Sequence, residues 1–441
     1  MHGKKWVNKG VHPSHHKGTH DCMSQKITLP DRILMPMQQH IGAPCRLLVA
    51  RGDRVKVGQL LGKAEKYVSA HVHSSVSGTV SGITALMFPA GNRVETVEII
   101  PDGLQEMWEG ISRPKHSTPE EFLQAVADSG LVGLGGAGFP AHVKLKAPPG
   151  KKTELLVVNS AECEPYITSD YRECMENAEG IIDGIQQILD HLSIPQAIIG
   201  IEDNKPEAVH KLRKLIQKDP RITVQILKTR YPQGAEKMLI YSLTGRKVPA
   251  GGLPLDVGIV VMNVNSVSFL SSYLSTGIPL ITRRVTVDGN IVARPGNAVV
   301  PLGTPVGRVF EFCGGFTREP AKIIMGGPMM GTALYSLDMP VMKYTNALLA
   351  FDAKAADRGK ETSCIRCGRC VEVCPMDLIP AAINQAALRE DVDQLLRLGS
   401  INCIECGCCS YICPAARNLA HSMRLAKWQL KKASAKEGSV Q

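Results

Sequence analysis

The stretch CIRCGRCVEVCP at residues 364–375 and its counterpart CIECGCCSYICP at residues 403–414 decide the fold of the C-terminal part of the chain. Each reads C-x2-C-x2-C-x3-C-P. Gaps of two residues let a tight loop aim three thiolates at one cubane, and the fourth cysteine starts a helix. We predict two [4Fe–4S] clusters here rather than zinc sites, because zinc needs four ligands per site and rarely shows the x3-C-P ending twice.

The fourth cysteine of each run is expected to reach the cluster of the other run. Cluster 1 is therefore assigned the ligands Cys364, Cys367, Cys370 and Cys413. Cluster 2 is assigned the ligands Cys403, Cys406, Cys409 and Cys374. Cys408 lies inside the second run but off its spacing, so we expect it to be a non-ligand. No role is predicted for the scattered cysteines, which are Cys22, Cys45, Cys163, Cys174 and Cys313.

Composition indicates an ordinary globular protein. The chain has 441 residues, 44% of them apolar and 21% charged, which allows roughly three or four domains. Met1–Cys22 lacks an apolar signal-peptide core, and no stretch reaches the roughly 18–20 apolar residues that span a bilayer. We therefore expect a cytoplasmic protein with at most peripheral membrane association. The net charge of +10 favours either acidic partners or only solubility, and 5% aromatic residues argue against nucleic-acid binding.

The N-terminal part predicts a loop followed by a β-sandwich. Residues 1–25 are favoured as a surface loop over a metal site, because no regular spacing organises their His2, His12, His15, His16, His20 and Cys22. From Ile41 to Ile83, short apolar segments alternate with glycine turns, which predicts hairpins. They resemble the flattened sandwich (barrel-sandwich hybrid) of biotinyl and lipoyl carriers. Lys66 is near the modified position of those carriers, but Glu65 and Tyr67 flank it, so we predict a structural or docking module.

A glycine-rich stretch introduces the next module. A helix is predicted over Glu120–Ser129, and Gly133, Gly135 and Gly138 then satisfy G-x-G-x-x-G. The signal is weak alone, because a helix precedes it where a dinucleotide fingerprint requires a strand. Consecutive glycines still let backbone N–H groups approach a phosphate or a flat ring.

A buried strand is predicted at Glu154–Val158, and the polar run Asn159–Pro165 begins where it ends. Open α/β sheets bind ligands at the C-terminal ends of their strands. Helices and strands then alternate, which predicts a doubly wound parallel α/β core. These elements are helices over 176–191 and 205–218, strands over 196–201 and 222–228, and a helix opened by Tyr231–Glu236 that runs to about Thr244.

The pattern changes to β after this core. Strands predicted over Val257–Val264, Ile281–Val287 and Ile291–Arg294 indicate a small β-grasp (SLBB-like) domain. A helix pair is predicted over Ile379–Leu398 between the cysteine runs. The last predicted helix, 417–432, is basic and amphipathic, with the apolar residues Leu419, Met423, Leu425 and Trp428. The resulting multidomain α/β chain is divided into an N-terminal sandwich region (1–115), the α/β core (116–255), the β-grasp domain (256–345) and a two-cluster ferredoxin-type α domain (346–441).

Four local patterns together resemble a known family. They are Gly135-Gly136-Ala137-Gly138-Phe139-Pro140 with Lys144; Asn159, Glu162, Glu164 and Asp170; Tyr231, Gly234 and Glu236; and Asn263 with Asn265. These patterns resemble the flavin-bearing, NADH-oxidising subunit of respiratory complex I. With the sandwich, the β-grasp segment and the cysteine runs added, nearly the whole chain is similar to the C subunit of the Rnf electron-transport complex.

The resemblance implies FMN and NAD(H) in the α/β core and two [4Fe–4S] centres behind it. The residues implied to contact these cofactors are Gly135, Gly136, Gly138, Phe139, Lys144, Asn159, Glu162, Glu164, Asp170, Tyr231, Gly234, Glu236, Asn263 and Asn265. Ala235 and Ala161 depart from the complex I pattern, which has acidic residues there. Glu162 or Glu164 can alternatively be a helix cap or an ion-pair partner, and Phe139 a packing residue.

The resemblance also implies a two-to-one electron converter without catalytic side chains, since the cofactors carry the chemistry. Hydride would be exchanged with NAD(H), and single electrons would pass through the clusters to or from other subunits. The implied partners are the membrane and ferredoxin-accepting subunits of an ion-translocating complex, with this chain peripheral on the cytoplasmic face. Two alternatives stay open, namely a cobalamin reductase of propanediol metabolism and a scaffold that carries electrons without binding NADH.

Overall fold

A computed structural model describes residues 9–136 and 138–438, with side chains up to residue 435. His2 of the predicted N-terminal loop and Ala137 of the glycine stretch therefore lie outside the described residues. No helix within these ranges is both long enough and apolar enough to cross a membrane.

Apart from its first strand, which pairs in parallel with residues 298–299, the N-terminal part is built of antiparallel strands, as the alternating turns predict. Its strands are β1 (Gln25–Lys26), β2 (Ile33–Pro36), β3 (Arg46–Leu47), β4 (Arg54–Val55), β5 (Leu60–Lys63), β6 (Val72–His73), β7 (Gly78–Met87) and β8 (Arg93–Pro101). Two sheets result, with the orders β2-β8-β7-β4 and β3-β5-β6. Buried Ile33 and Met35 of this sandwich belong to the same hydrophobic cluster as Leu156 and Ile199 of the next module, so the two modules share one core.

The α/β core is a four-stranded parallel sheet flanked by helices. Its elements are α1 (Pro119–Asp128), α2 (Ala141–Leu145), β9 (Leu155–Ser160), α3 (Ser169–Glu176), α4 (Ala178–His191), β10 (Gln196–Glu202), α5 (Pro206–Leu215), β11 (Ile222–Leu227), α6 (Glu236–Thr244), β12 (Ile259–Asn263) and α7 (Val264–Thr276). The strand order is β11-β10-β9-β12. The helices pack their apolar faces on the sheet; for α1 these are Phe122, Ala125 and Val126.

Two features of this core differ from the sequence prediction. Strand β12, which we assigned to the β-grasp domain, pairs in parallel with β9, so the predicted division at 255/256 cuts the sheet. An apolar run does not show which sheet a buried strand joins. Helix α7 was not predicted at all. Its valines and serines are weak helix formers, and serines are buried along it beside its apolar residues, which hides the amphipathic pattern.

The third module is a mixed six-stranded sheet. Its elements are β13 (Thr282–Asp288), β14 (Gly296–Pro301), α8 (Val306–Phe312), β15 (Lys322–Met325), β16 (Thr332–Leu334) and β17 (Ala347–Phe351). The order is β1-β14-β13-β17-β15-β16, so β17 extends this sheet beyond the predicted boundary at residue 345. The predicted strand Ile291–Arg294 is wrong, because this segment is a turn with a single isolated bridge between Val292 and Phe316.

The C-terminal module is helical. Its helices are α9 (Ala353–Ala356), α10 (Arg369–Glu372), α11 (Pro380–Leu388), α12 (Val392–Arg397), α13 (Cys408–Tyr411) and α14 (Leu419–Gly438). The predicted pair between the cysteine runs is confirmed as α11 and α12. Helix α14 buries Leu419, Met423, Ala426 and Leu430. Trp428 does not belong to that face as predicted: it is 56% exposed.

Candidate functional site

The C-terminal edge of the parallel sheet collects the predicted polar residues. Asn159 of β9 and Asn263 of β12 are direct partners in the parallel register. Asn159 donates its side-chain amide to the Gly234 carbonyl at 2.8 Å, which fixes the loop before α6. Asn263 accepts the N–H of Asn265 at 3.0 Å and so caps helix α7. Residues from three separate predicted patterns therefore meet at one sheet edge, where open α/β folds bind ligands.

Asp170 organises the deepest part of this edge. It lies in the first turn of α3, and its two oxygens accept the side-chain amides of Asn263 at 2.8 Å and Asn265 at 2.6 Å. Burial raises the pKa of Asp170, while these amides and the positive charge of Arg283 oppose the rise. Arg283 is itself buried and donates to the Leu134 carbonyl at 2.8 Å. The acidic group is thereby connected to the start of the glycine stretch.

The glycine stretch needs its glycines for two different reasons. At Gly135 a Cβ atom would lie 2.4 Å from the Asn263 amide nitrogen, so no side chain fits. Gly138 has φ +72°, a left-handed conformation that other residues rarely adopt. Gly136 is exposed, and a Cβ built there meets no atom within 4 Å. The loop is closed by the Gly133 N–H, which donates to the Phe139 carbonyl at 2.9 Å, so bare backbone faces open space beside the polar edge.

The opposite side of the cleft is formed by α2 and the start of α6. Lys144 donates to the Glu236 carboxylate at 2.6 Å, and both side chains stay partly exposed. The Gly234 N–H lies 3.3 Å from the Cys163 sulfur. A Cβ at Gly234 would come within 3.4 Å of both Cys163 and Ala161. The contacts thus bring residues of all four predicted patterns to one edge of the sheet, which we call the cleft, and the open backbone at Gly136 is compatible with a flat ring such as that of a flavin.

The two glutamates of the strand-end loop have protein partners. Glu162 accepts the N–H groups of Asp170 at 2.6 Å and Tyr171 at 3.3 Å, so it caps α3, the alternative left open by the sequence. Glu164 accepts the N–H groups of Met329 at 3.0 Å and Met330 at 2.9 Å. Burial raises the pKa of each carboxyl to about 7. Their contacts with flavin or nicotinamide stay predictions.

Glu164 provides a testable pH dependence. Its folded pKa of about 7 lies above the ordinary 4.5 because of burial, so between these pH values the folded chain binds more protons than the unfolded chain. Its contribution to stability is full below about pH 4.5 and is lost as the pH rises through 7. As the pH rises from 5 to 8, the free energy of unfolding of Glu164→Gln should increase relative to that of wild type by up to about 3 kcal/mol. Urea midpoints at both pH values measure this gain. An equal gain in Glu120→Gln, at an exposed position of α1, would contradict the assignment.

Sequence reasoning missed a group of charged residues behind the loop. Lys17, in the segment predicted as a surface loop, donates to the carbonyls of Glu162, Glu164 and Ile167 at 2.9, 2.8 and 2.5 Å. Lys205 donates to the Ala161 carbonyl at 2.8 Å and pairs with Glu202. Burial lowers the pKa of Lys17, an effect that Glu162 opposes.

Residues 9–25, the described part of the N-terminal segment, are consequently not a free surface loop. Val11 and Thr19 are buried, and Val11 exchanges backbone hydrogen bonds with Tyr231. The only signal in the sequence was an isolated lysine among histidines, which does not point to a partner far along the chain.

The cysteines of the predicted cluster 2 surround one cavity. Cys374 of the first run lines it together with four cysteines of the second run, three of them predicted ligands. Burial, reinforced by the charges of the neighbouring cysteines, raises the pKa of Cys409 to about 12. The lining residues are Cys374, Pro375, Met376, Leu378, Pro380, Cys403, Ile404, Glu405, Cys406, Gly407, Cys408, Cys409, Ala420 and Met423. This donor set fits a cubane that takes its fourth ligand from the other run.

The cysteines of the predicted cluster 1 lie nearer the surface. Cys364 and Cys367 are exposed, and Cys370 and Cys413 are intermediate. The Thr362 N–H donates to the Ala415 carbonyl at 3.1 Å, which brings the start of the first run beside the end of the second. Among the described residues, no group of three or more His, Cys, Asp or Glu side chains is arranged to hold a single metal ion.

Substitution of Cys374 tests the exchange of ligands between the runs. Cys374→Ser should alter the EPR signal of cluster 2 and lower the iron content by up to about half, while cluster 1 persists, because the predicted pairing makes Cys374 a ligand of cluster 2 alone. Cys408→Ser is the matched control: Cys408 lines the same cavity, and as a non-ligand it should leave both signals in place. Loss of the cluster 1 signal alone in Cys374→Ser would refute the pairing.

The cleft and the cluster 2 cavity are in direct contact. Tyr231, predicted as a pocket residue, is 1% exposed, and its hydroxyl donates to the Cys406 carbonyl at 2.7 Å. One buried cluster contains Val11, Tyr231, Cys406 and Cys408, with Cys163 packed against it. The loop that carries Gly234 therefore leads straight to a cluster-binding loop.

A glycine-lined cleft on a parallel sheet, joined to two cysteine sites of ferredoxin type, defines an oxidoreductase component that combines flavin with iron–sulfur centres. Family models match along the chain: a RnfC barrel sandwich hybrid domain at 5–104, a Nuo51 FMN-binding domain at 126–271, an SLBB domain at 284–333 and a 4Fe-4S dicluster domain at 357–414. These matches confirm the predicted fold class and the FMN and [4Fe–4S] cofactors.

Relatives identify the family. The C subunit of the proton-translocating ferredoxin:NAD(+) oxidoreductase complex of Clostridium ljungdahlii is 45% identical, covering 85% of this chain and 83% of its own. The C subunit of the Na(+)-translocating ferredoxin:NAD(+) oxidoreductase complex of Acetobacterium woodii is 42% identical over 96% of both chains. This chain belongs to the family of C subunits of Rnf complexes.

A solved structure supports the fold alone. An air-oxidised NAD+-reducing [NiFe]-hydrogenase has a chain that is similar with a TM-score of 0.51 at 20% identity. The match covers 72% of this chain and 64% of the hydrogenase chain, which is less than two thirds of that chain.

Proposed function

We propose that this chain is the NAD(H)-reacting subunit of a membrane-bound complex that couples electron transfer between ferredoxin and NAD(H) to ion translocation. Family membership supports this function over the cobalamin reductase alternative. The observation that carries it is the hydrogen bond from Tyr231 to the Cys406 carbonyl, because it joins the cleft to a cluster site without an intervening domain.

The cleft residues have distinct roles in this proposal. FMN, when bound, supplies the exchange of a hydride with NAD(H) and of single electrons with the clusters. Gly136 leaves the backbone bare against the flat ring, Gly135 makes room for Asn263, and Asp170 holds the side chains of Asn263 and Asn265 in place by accepting their amides. Lys144 and Glu236 border the open side. The full proposed set is Gly135, Gly136, Gly138, Phe139, Lys144, Asn159, Glu162, Glu164, Asp170, Tyr231, Gly234, Glu236, Asn263 and Asn265.

The two cysteine sites are ordered by their burial. The cluster 2 cavity adjoins the cleft through Cys406, whereas Cys364 and Cys367 of cluster 1 are exposed. We therefore place cluster 2 as the inner site and cluster 1 as the outer site, which faces the other subunits. The complex is proposed to hold this chain peripherally on the cytoplasmic face of the membrane.

Anaerobic titration of the isolated, cofactor-loaded chain with NADH tests the function. Flavin absorbance should bleach on addition of NADH, and analysis should find flavin together with iron and sulfide for two cubanes. Bound flavin that does not bleach would overturn NADH oxidation and favour the electron-carrying scaffold. Inverted membrane vesicles that carry the complex without this subunit should bind the chain, whereas right-side-out vesicles should not, which tests its location.

A further inference from the structure

The two cysteine runs share one motif but present very different surfaces. In the first run, residues 364–369 are all exposed. At the equivalent positions of the second run, residues 403–405 are partly buried and residues 406–408 are buried. Since the motif is the same, the difference does not come from holding a cubane. Among the described residues, none covers the first loop.

Individual side chains are also more exposed in the first loop than in the second. Ile365 is 67% exposed, whereas its counterpart Ile404 packs against the buried cluster at the cleft. Arg366 and its counterpart Glu405 share the same left-handed backbone conformation, with φ +56°. Glu405 is neutralised by Lys427 at 2.6 Å and Arg424 at 3.3 Å. The second loop is therefore an internal surface with its charge paired.

The first loop carries unpaired positive charge. Arg366 and Arg369 are exposed, and in the part of the chain with described side chains neither forms an ion pair or a side-chain hydrogen bond. A guanidinium group presents a planar fork of donors that matches a carboxylate. Complementary charge around an apolar contact is the usual arrangement where proteins dock specifically and fast. Exposed Cys364 and Cys367 lie in the same loop, so a protein docked there would touch the edge of cluster 1.

We propose that the loop 364–369 is the docking surface for an acidic protein that carries a one-electron redox centre. Ile365 supplies the apolar contact, and Arg366 and Arg369 bind carboxylates around it. The inference rests on the proposed function, which makes cluster 1 the outer electron site. Each NADH that is oxidised gives up two electrons and a proton, so two partner molecules would be reduced by one electron each. An anionic membrane surface is the competing occupant, but a lipid surface cannot exchange electrons with an exposed cluster.

Charge reversal in the full, cofactor-loaded chain tests the proposal, with flavodoxin, a small acidic one-electron carrier, as the probe. Arg366→Glu/Arg369→Glu should weaken flavodoxin binding at low salt at least tenfold, and added salt should weaken wild-type binding more than that of the variant. Arg51→Glu/Arg93→Glu reverses two exposed charges of the N-terminal sandwich and serves as the matched control. Arg366→Ala, which disturbs the loop least, should weaken binding by a smaller factor.

Three results would overturn the docking surface. The first is unchanged flavodoxin binding in the arginine variants, and the second is an equal loss of binding in the control variant. The third is a chain that does not bind flavodoxin but binds phosphatidylglycerol vesicles, with the vesicle binding abolished by the arginine substitutions. NADH-dependent reduction of menadione, a small neutral acceptor, is measured in parallel and should be the same in all variants. A wild-type chain that binds flavodoxin through the arginines but does not reduce menadione would refute the proposed function and leave the docking surface supported.

Discussion

Lys17→Met is expected to lower NADH oxidation at least tenfold while both iron–sulfur signals persist. The methionine side chain keeps the length of lysine but cannot donate to the carbonyls of Glu162, Glu164 and Ile167. A polar group left without its partner costs about 1–3 kcal/mol, and three are affected. About 1.4 kcal/mol spent on reordering the strand-end loop already corresponds to a factor of ten in rate.

The readout must separate positioning from general destabilisation. If Lys17 positions the loop, the KM for NADH and the flavin reduction potential should change, whereas iron content and the cluster EPR signals should not. Lys26→Met, at an exposed position of the same N-terminal segment, is the matched control. Wild-type kinetics in Lys17→Met, or parallel loss of flavin and clusters, would show that Lys17 has no specific role at this site.

The role of Lys17 could not be predicted from the sequence. Its acceptors lie 145 to 150 residues away along the chain, and no local spacing relates a lysine in an irregular segment to carbonyls of a distant loop. The cysteine runs are the opposite case, because gaps of two and three residues between cysteines are a local property that identifies cluster ligands. Strand β9 was predictable for a similar reason, because an unbroken apolar run is a local property.

Contacts between residues of different modules could not be predicted from the sequence either. The sequence placed Glu164 and Tyr231 in the cleft, but it did not show that Glu164 accepts the N–H groups of Met329 and Met330 in the loop between β15 and β16. Nor did it show that Tyr231 reaches Cys406. Both contacts depend on how whole modules pack together. They make the cleft a junction of three modules, where hydrogen bonds connect the strand-end loop, the β-grasp loop and the cluster domain.

Asp170→Ala is expected to give a chain with little bound flavin and intact clusters. Asp170 accepts two side-chain amides, and its charge compensates the buried Arg283. Its removal leaves two amides without an acceptor and the arginine charge less balanced, at a cost of about 3–5 kcal/mol. Because Asn263 also packs against Gly135, a loosened Asn263 should disturb the glycine loop as well.

Flavin released per mole of iron, after denaturation, measures this effect directly. Asp170→Asn retains one acceptor oxygen and should fall between wild type and Asp170→Ala, which relates the loss to the hydrogen bonds rather than to the cavity. Asp190→Ala removes a carboxylate whose side chain is 59% exposed from the same domain and should change stability by no more than about 0.5 kcal/mol. Full flavin content in Asp170→Ala would mean that the amides of Asn263 and Asn265 hold their positions without the carboxylate, and the cleft would then owe its shape to the glycine loop alone.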